Sequence, residues 1–251
     1  MTVRGLAVLT CLAALLSACD GGPALAPHKE PKQQYGFPAA DRPVARIESA
    51  RWSNEESRDR LNEADAVMNL AGIKKGMTVA DIGAGEGYYT IRLAARVGRE
   101  GRVLAEDIVP SVRDQLATRV NRERLDNVSV RLGLPADPRL PENSFDRVFM
   151  VHMYHEIESP YEFLWRLRPS LKAGGQVIVV DADRPTQNHG TPPDLLKCEF
   201  AAVGYTLVSI QQMPRAGGYI AIFKAEGDAP EPQKIKACKS AASAPNDGQG
   251  S

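Results

Sequence analysis

The chain has no net charge to offer a charged polymer: 31 Lys and Arg stand against 31 Asp and Glu. That balance excludes the one-sided basic surface of a nucleic-acid scaffold, and no nucleic-acid partner is expected. Long apolar runs are also scarce. The one clear example, residues 6–16, is too short to span a bilayer comfortably. Cysteine is limited to four residues, with no thiol cluster of the arsenic-handling kind. Histidine is equally sparse, at four, so where these residues gather carries information. Phosphate-binding signatures are missing from the glycine-rich turn Asp81-Ile82-Gly83-Ala84-Gly85-Glu86-Gly87. A dinucleotide fingerprint needs glycine at position 88, where Tyr88 stands. No Lys-Ser/Thr pair follows, which argues against a triphosphate.

What is present reads as one medium domain with tails. A hydrophobic content of 43% with 25% charged residues is that of an ordinary globular protein. No internal repeat is found. Residues 1–18 carry one charge, Arg4, ahead of the apolar run, and read as a signal peptide. The run ends Leu16-Ser17-Ala18-Cys19, which resembles the bacterial lipoprotein signal. That resemblance implies lipidation of Cys19 and a membrane partner through its acyl chains, and it locates the protein in the bacterial cell envelope, facing the periplasm. An ordinary cleaved signal, an uncleaved anchor and a residual cytoplasmic pool are the alternatives. Residues 19–45, with Pro23, Pro27, Pro31, Pro38 and Pro43, read as a flexible tether. Residues 46–226 are the expected domain, and 227–251 an expected disordered tail. Cys198 and Cys238 could pair in an oxidising compartment. The favoured reading leaves Cys198 as a buried free thiol in a helix over 194–203.

Within the domain, strand-like and helix-like patterns alternate. Helices are expected over 54–71, 89–97, 111–124, 161–171 and 195–203. Strands are expected over 77–82, 102–108, 128–132, 145–151, 176–180, 205–210 and 219–224. Alternation implies an α/β fold: a mostly parallel sheet with helices on both faces. The last two strands leave no room for a crossover helix, so they form a C-terminal antiparallel hairpin.

Four stretches, met in order across roughly residues 50–225, resemble the motifs of the class I S-adenosylmethionine-dependent methyltransferases. They are the turn at 81–87, the strand end Glu106-Asp107-Ile108, the loop 133–146, and Leu171-Lys172-Ala173-Gly174-Gly175, with Ala173 where proline is usual. The resemblance implies a Rossmann-like fold, S-adenosylmethionine as cofactor and methyl transfer as the activity. It places Asp81, Gly83, Gly85 and Gly87 around the methionine part, Asp107 on the ribose hydroxyls with Glu106 in reserve, and Asp137 at the adenine amino group. Leu134 departs from the acid common in the family. Tyr88, Tyr89 and Trp52 are further candidates for the pocket wall; Tyr89 reads equally as the first core residue of its helix, and Trp52 as a cap on the sheet edge.

The catalytic candidates are His155, then Tyr154 and His189. They fall at the carboxyl ends of the fourth and fifth strands, where ligands of open α/β sheets bind. A histidine there could serve as base toward a hydroxyl or an acidic carbon; on the alternative reading, His152 and Tyr154 pack beneath the next helix and only His155 faces the cleft. His152, His155, Asp181, Asp183 and His189 could instead hold a divalent ion, as in catechol-type methyltransferases. Their spacing is not a recognised ligand pattern, and no metal is expected. With no motif for protein arginine or lysine targets, a small-molecule acceptor is the residual expectation. The competing reading is a lipid-anchored binding module that keeps the fold without turnover, since the cofactor is made in the cytoplasm.

Overall fold

The computed structural model describes residues 36–47 and 55–239. The signal peptide, Cys19 and Trp52 lie outside them. β1 (Thr78–Ile82), β2 (Arg102–Asp107), β3 (Val128–Leu132), β4 (Phe145–Val151), β5 (Leu171–Asp181), β6 (Tyr205–Met213) and β7 (Gly218–Ala225) form one sheet. Its order is β3-β2-β1-β4-β5-β7-β6. β1 to β5 are parallel, and β7 runs antiparallel to both β5 and β6. The expected mostly parallel sheet with a C-terminal hairpin is thus the observed one.

Strand alternation sorts the core onto two faces. Val79, Phe149, Ile178 and Ile222 pack on one side with α2 (Glu63–Leu70) and α3 (Tyr88–Val97). Ala80, Val148, Met150, Val177 and Phe223 pack on the other with α5 (Pro160–Leu167) and α6 (Pro193–Ala202). α4 (Pro110–Arg122) covers β2 and β3 through Leu116 and Val120. No helix among the described residues is long and apolar enough to cross a membrane.

The helix expected over 54–71 is two helices. Asn62 takes a left-handed conformation (φ 54°) between α1 (Glu55–Arg60) and α2, a conformation its short amide side chain tolerates. α1 buries no residue, so no apolar stripe forces it to continue α2's axis.

The described parts of the expected tether and tail, residues 36–45 and 227–239, are anchored on the domain. Phe37 is buried edge-on to Trp165. Arg42 is buried in an ion pair with Glu199 at 2.9 Å, and also donates to the carbonyl of Ile157. At the other end Trp165 donates to the Pro230 carbonyl, Arg168 donates to that of Gly227, and Ile235 is buried. Cys198 is not a free thiol: it is bonded to Cys238, whose N–H donates to the Tyr161 hydroxyl. Residues 36–45 and 227–239 therefore pack on the body of the domain, each held by a few anchors that composition does not reveal.

Candidate functional site

Because β4 lies on the opposite side of β1 from β2, the carboxyl ends of β1, β2 and β4 border the switch point where open α/β sheets bind ligands. A cavity of about 220 Å³ opens there. One wall is the glycine turn between β1 and α3. Gly83 and Gly87 adopt φ of 64° and 90°, left-handed values that disfavour a side chain. A β-carbon would come within 3.0 Å of Met153 at Gly83 and within 2.5 Å of Leu116 at Gly87. The turn therefore lies close against its neighbours and presents backbone to the cavity.

The acids at the strand ends form the second wall. Asp107 accepts hydrogen bonds from the Gly85 N–H at 3.0 Å and the Val109 N–H at 2.9 Å, which staples the turn to β2. Asp81 accepts from the Thr90 hydroxyl at 2.6 Å, and burial pushes its carboxyl up to about 6. Burial, with the neighbouring Asp107 charge, pushes Glu106 up to about 8. Its Oε1 has no hydrogen-bond partner among the described residues. Gly133 lies directly against it: a β-carbon there would overlap that oxygen and displace the Glu106 side chain.

The remaining lining comes from α1 and the segment after β4. Arg58 stacks over Tyr88 at 3.8 Å and pairs with Glu63, which also accepts from the Tyr89 hydroxyl at 3.0 Å. Tyr88 donates to Asp59 at 3.0 Å. Glu55 and Asp59 pair with Arg119 and Arg92, which ties α1 to the helices behind it. Ile47, Ile157 and Phe163 give the cavity an apolar side, and Glu156 and Glu158 a polar one. Sequence alone does not mark Arg58, Glu156 and Glu158 as site residues. A charged stretch such as Glu-Glu-Ser-Arg-Asp-Arg offers no signal for which cation turns inward.

Three expectations are corrected. Asp137 does not border this cavity; Pro135 of the same loop does. Paired backbone hydrogen bonds between Leu134 and Asp137 close a tight turn. Asp137 instead accepts from the Arg139 N–H and faces Arg166 across a separate surface depression. Tyr154 is fully buried and donates to Glu199 at 2.7 Å, so its hydroxyl belongs to the Arg42–Glu199 cluster. His152 and His155 exchange places. His152, left-handed at φ 54°, lines the cavity, and burial holds its pKa below the usual histidine value. His155 is turned into the protein by the 3-10 turn Tyr154–Glu156. There its Nδ1 lies 3.0 Å from Asp181, which also accepts from the Thr191 hydroxyl and the Ala182 N–H. His189 meets His155 edge-to-face, with centroids 5.4 Å apart, and Asp183 is exposed.

Residues 80–179 match the family model for a methyltransferase domain. The chain is similar to a ubiquinone/menaquinone biosynthesis C-methyltransferase, UbiE, of Hydrogenovibrio crunogenus: 31% identity over 160 residues, 61% of this chain and 57% of that protein. The UbiE of an Enterobacter species is 26% identical over 161 residues, with the same shares covered. The chain thus spans little more than half the length of these relatives. A solved S-adenosylmethionine-dependent methyltransferase from Aquifex aeolicus superposes with a TM-score of 0.58 at 23% identity, covering 68% of this chain and 97% of that one. The cyclase SpnF superposes equally well, at 16% identity over 77% of this chain and all of that one. The chain thus has the fold of the S-adenosylmethionine-dependent methyltransferases, with a methyltransferase-domain signature over residues 80–179.

Proposed function

We propose that the protein is an S-adenosylmethionine-dependent methyltransferase with a small-molecule acceptor. The observation that carries this reading is the pairing of the glycine turn with Asp107 over the switch-point cavity. The donor set fits the cofactor. A backbone-lined turn with acids on two sides suits a ligand bearing an ammonium, a sulfonium and a ribose but no phosphate. Asp81 and the turn carbonyls would hold the ammonium, Asp107 the ribose hydroxyls, and Ile108 with Pro135 would meet the adenine face. When bound, the cofactor supplies an electrophilic methyl group; the chain's own task is to hold the acceptor in line with it and exclude water. The apolar side at Ile47, Ile157 and Phe163 favours an apolar or aromatic acceptor, in keeping with relatives named for quinone biosynthesis.

We also propose that the chain is exported and anchored through Cys19, facing the periplasm. The Cys198–Cys238 disulfide supports export, because such bonds persist in oxidising compartments. The test of activity is release of S-adenosylhomocysteine from S-adenosylmethionine in the presence of phenol and quinol acceptors. Acceptor-dependent release that falls in Asp107→Asn supports the enzyme. Cofactor binding without release across such a panel would favour the binding module.

A further inference from the structure

We infer that His155, Glu156 and His189 form a binding site for one divalent transition-metal ion of the zinc class, with Asp181 fixing the tautomer of His155. One donor atom from each of the three residues lies within 4.8 Å of the others. His155 Nε2 and Glu156 Oε1 are 4.0 Å apart. Around an ion at about 2.0–2.1 Å, tetrahedral donors stand roughly 3.4 Å from one another. A small inward rotation of Glu156 and His189, both partly exposed, closes the difference.

The second observation is the state of His155. It is fully buried, and its Nδ1 faces the carboxylate of Asp181 at 3.0 and 3.2 Å. An imidazole that donates Nδ1–H to a carboxylate carries its lone pair on Nε2. That atom is buried and has no hydrogen-bond partner among the described residues. A buried acceptor left without a partner is costly, and a metal ion satisfies it.

The carboxylate–imidazole pair is the arrangement that orients histidine ligands toward metals elsewhere. Here the support behind it is built. Asp181 accepts from the Thr191 hydroxyl and from the Ala182 N–H, and the Tyr219 hydroxyl donates to the Thr191 carbonyl. His189 is delivered by a loop that folds back on this base. Its φ is 57°, the Thr191 N–H donates to the Ala182 carbonyl, and a β-carbon at Gly190 would lie 2.5 Å from that carbonyl oxygen. Two imidazoles and one carboxylate select zinc-like ions over magnesium or calcium, which prefer oxygen donors throughout.

Glu156 also lines the glycine-turn cavity, so an ion held here borders the compartment assigned above to the acceptor. Metal binding itself does not depend on the methyltransferase reading. The test is titration of the EDTA-stripped, disulfide-intact protein with Zn²⁺ against a chromophoric chelator, paired with the visible spectrum of the Co²⁺ form. The expected result is one ion per chain at micromolar or tighter affinity. His189→Ala and Glu156→Gln should each weaken it by at least about tenfold, with the Co²⁺ bands altered. Asp183→Asn, an exposed neighbouring acid, should leave binding unchanged. Circular dichroism and cofactor affinity of His189→Ala confirm that the variant is folded. Absence of stoichiometric Zn²⁺ at 100-fold the chelator-defined micromolar range would overturn the site, as would wild-type affinity in both His189→Ala and Glu156→Gln.

Discussion

Glu106→Gln should make the protein more stable, and increasingly so as pH rises. The carboxyl of Glu106 is buried at the end of β2, and its pKa is pushed up to about 8 from the ordinary 4.5 by desolvation first and by Asp107 second. The folded state therefore binds this proton more tightly than the unfolded chain does. Its contribution is fully present below pH 4.5 and is lost as pH rises toward 8. Each unit of pKa difference corresponds to about 1.4 kcal/mol, so the loss reaches about 4 kcal/mol at pH 8 and has an upper limit of about 5 kcal/mol above it. Gln keeps the shape of the neutral acid and cannot ionise. Urea unfolding at half-unit steps from pH 5 to 8 gives the assay. The difference between variant and wild type cancels the slopes from Asp81, pushed up to about 6, and from His152. That difference should grow in the variant's favour by about 1.4 kcal/mol per unit between pH 5 and 7.5, then flatten. Parallel stability curves across this range would refute the placement of a proton on Glu106 in the folded protein.

Two further outcomes follow from the packing of the terminal segments. Cys238→Ser opens a cross-link spanning 40 residues; chain entropy alone predicts a loss of about 4 kcal/mol at 25 °C, read by urea unfolding, and a loss under about 1 kcal/mol would show that the segment is held by Ile235 and Trp165 instead. Glu199→Ala strands the buried Arg42 guanidinium and the Tyr154 hydroxyl. It should cost about 3–5 kcal/mol, with partial recovery when Arg42→Met is added; strict additivity in the double-mutant cycle would contradict the pairing.

Much of the sheet is legible because its strands are short apolar or alternating stretches with sharp boundaries. Phe145–Val151 and Val128–Leu132 coincide with expectation, and the hairpin follows from the missing crossover between Met213 and Gly218. The glycine turn and Asp107 are legible too, because close backbone approach and a strand-end acid leave local marks. What sequence hides is orientation. The choice between His152 and His155 for the cavity depends on a left-handed residue followed by a 3-10 turn, and no local periodicity announces it. Asp137 is turned away by a two-residue ladder with Leu134. The anchors Phe37, Arg42 and Cys238 sit in proline-rich stretches whose average composition suggests mobility, although Phe37 and Arg42 pair with residues more than 100 positions away and Cys238 forms a covalent bond. Long-range pairing of this kind has no signature in a sliding window.

Under the proposed function, the cavity beneath the glycine turn holds S-adenosylmethionine through Asp107. Titration calorimetry with the cofactor and its demethylated product tests it most directly, on the wild type and on Asp107→Asn, which retains an acceptor for the turn. One site of micromolar affinity for both ligands is predicted, weakened at least about tenfold in the variant by loss of a charged hydrogen-bond acceptor. No heat of binding at millimolar ligand, or equal affinity in the variant, would contradict it.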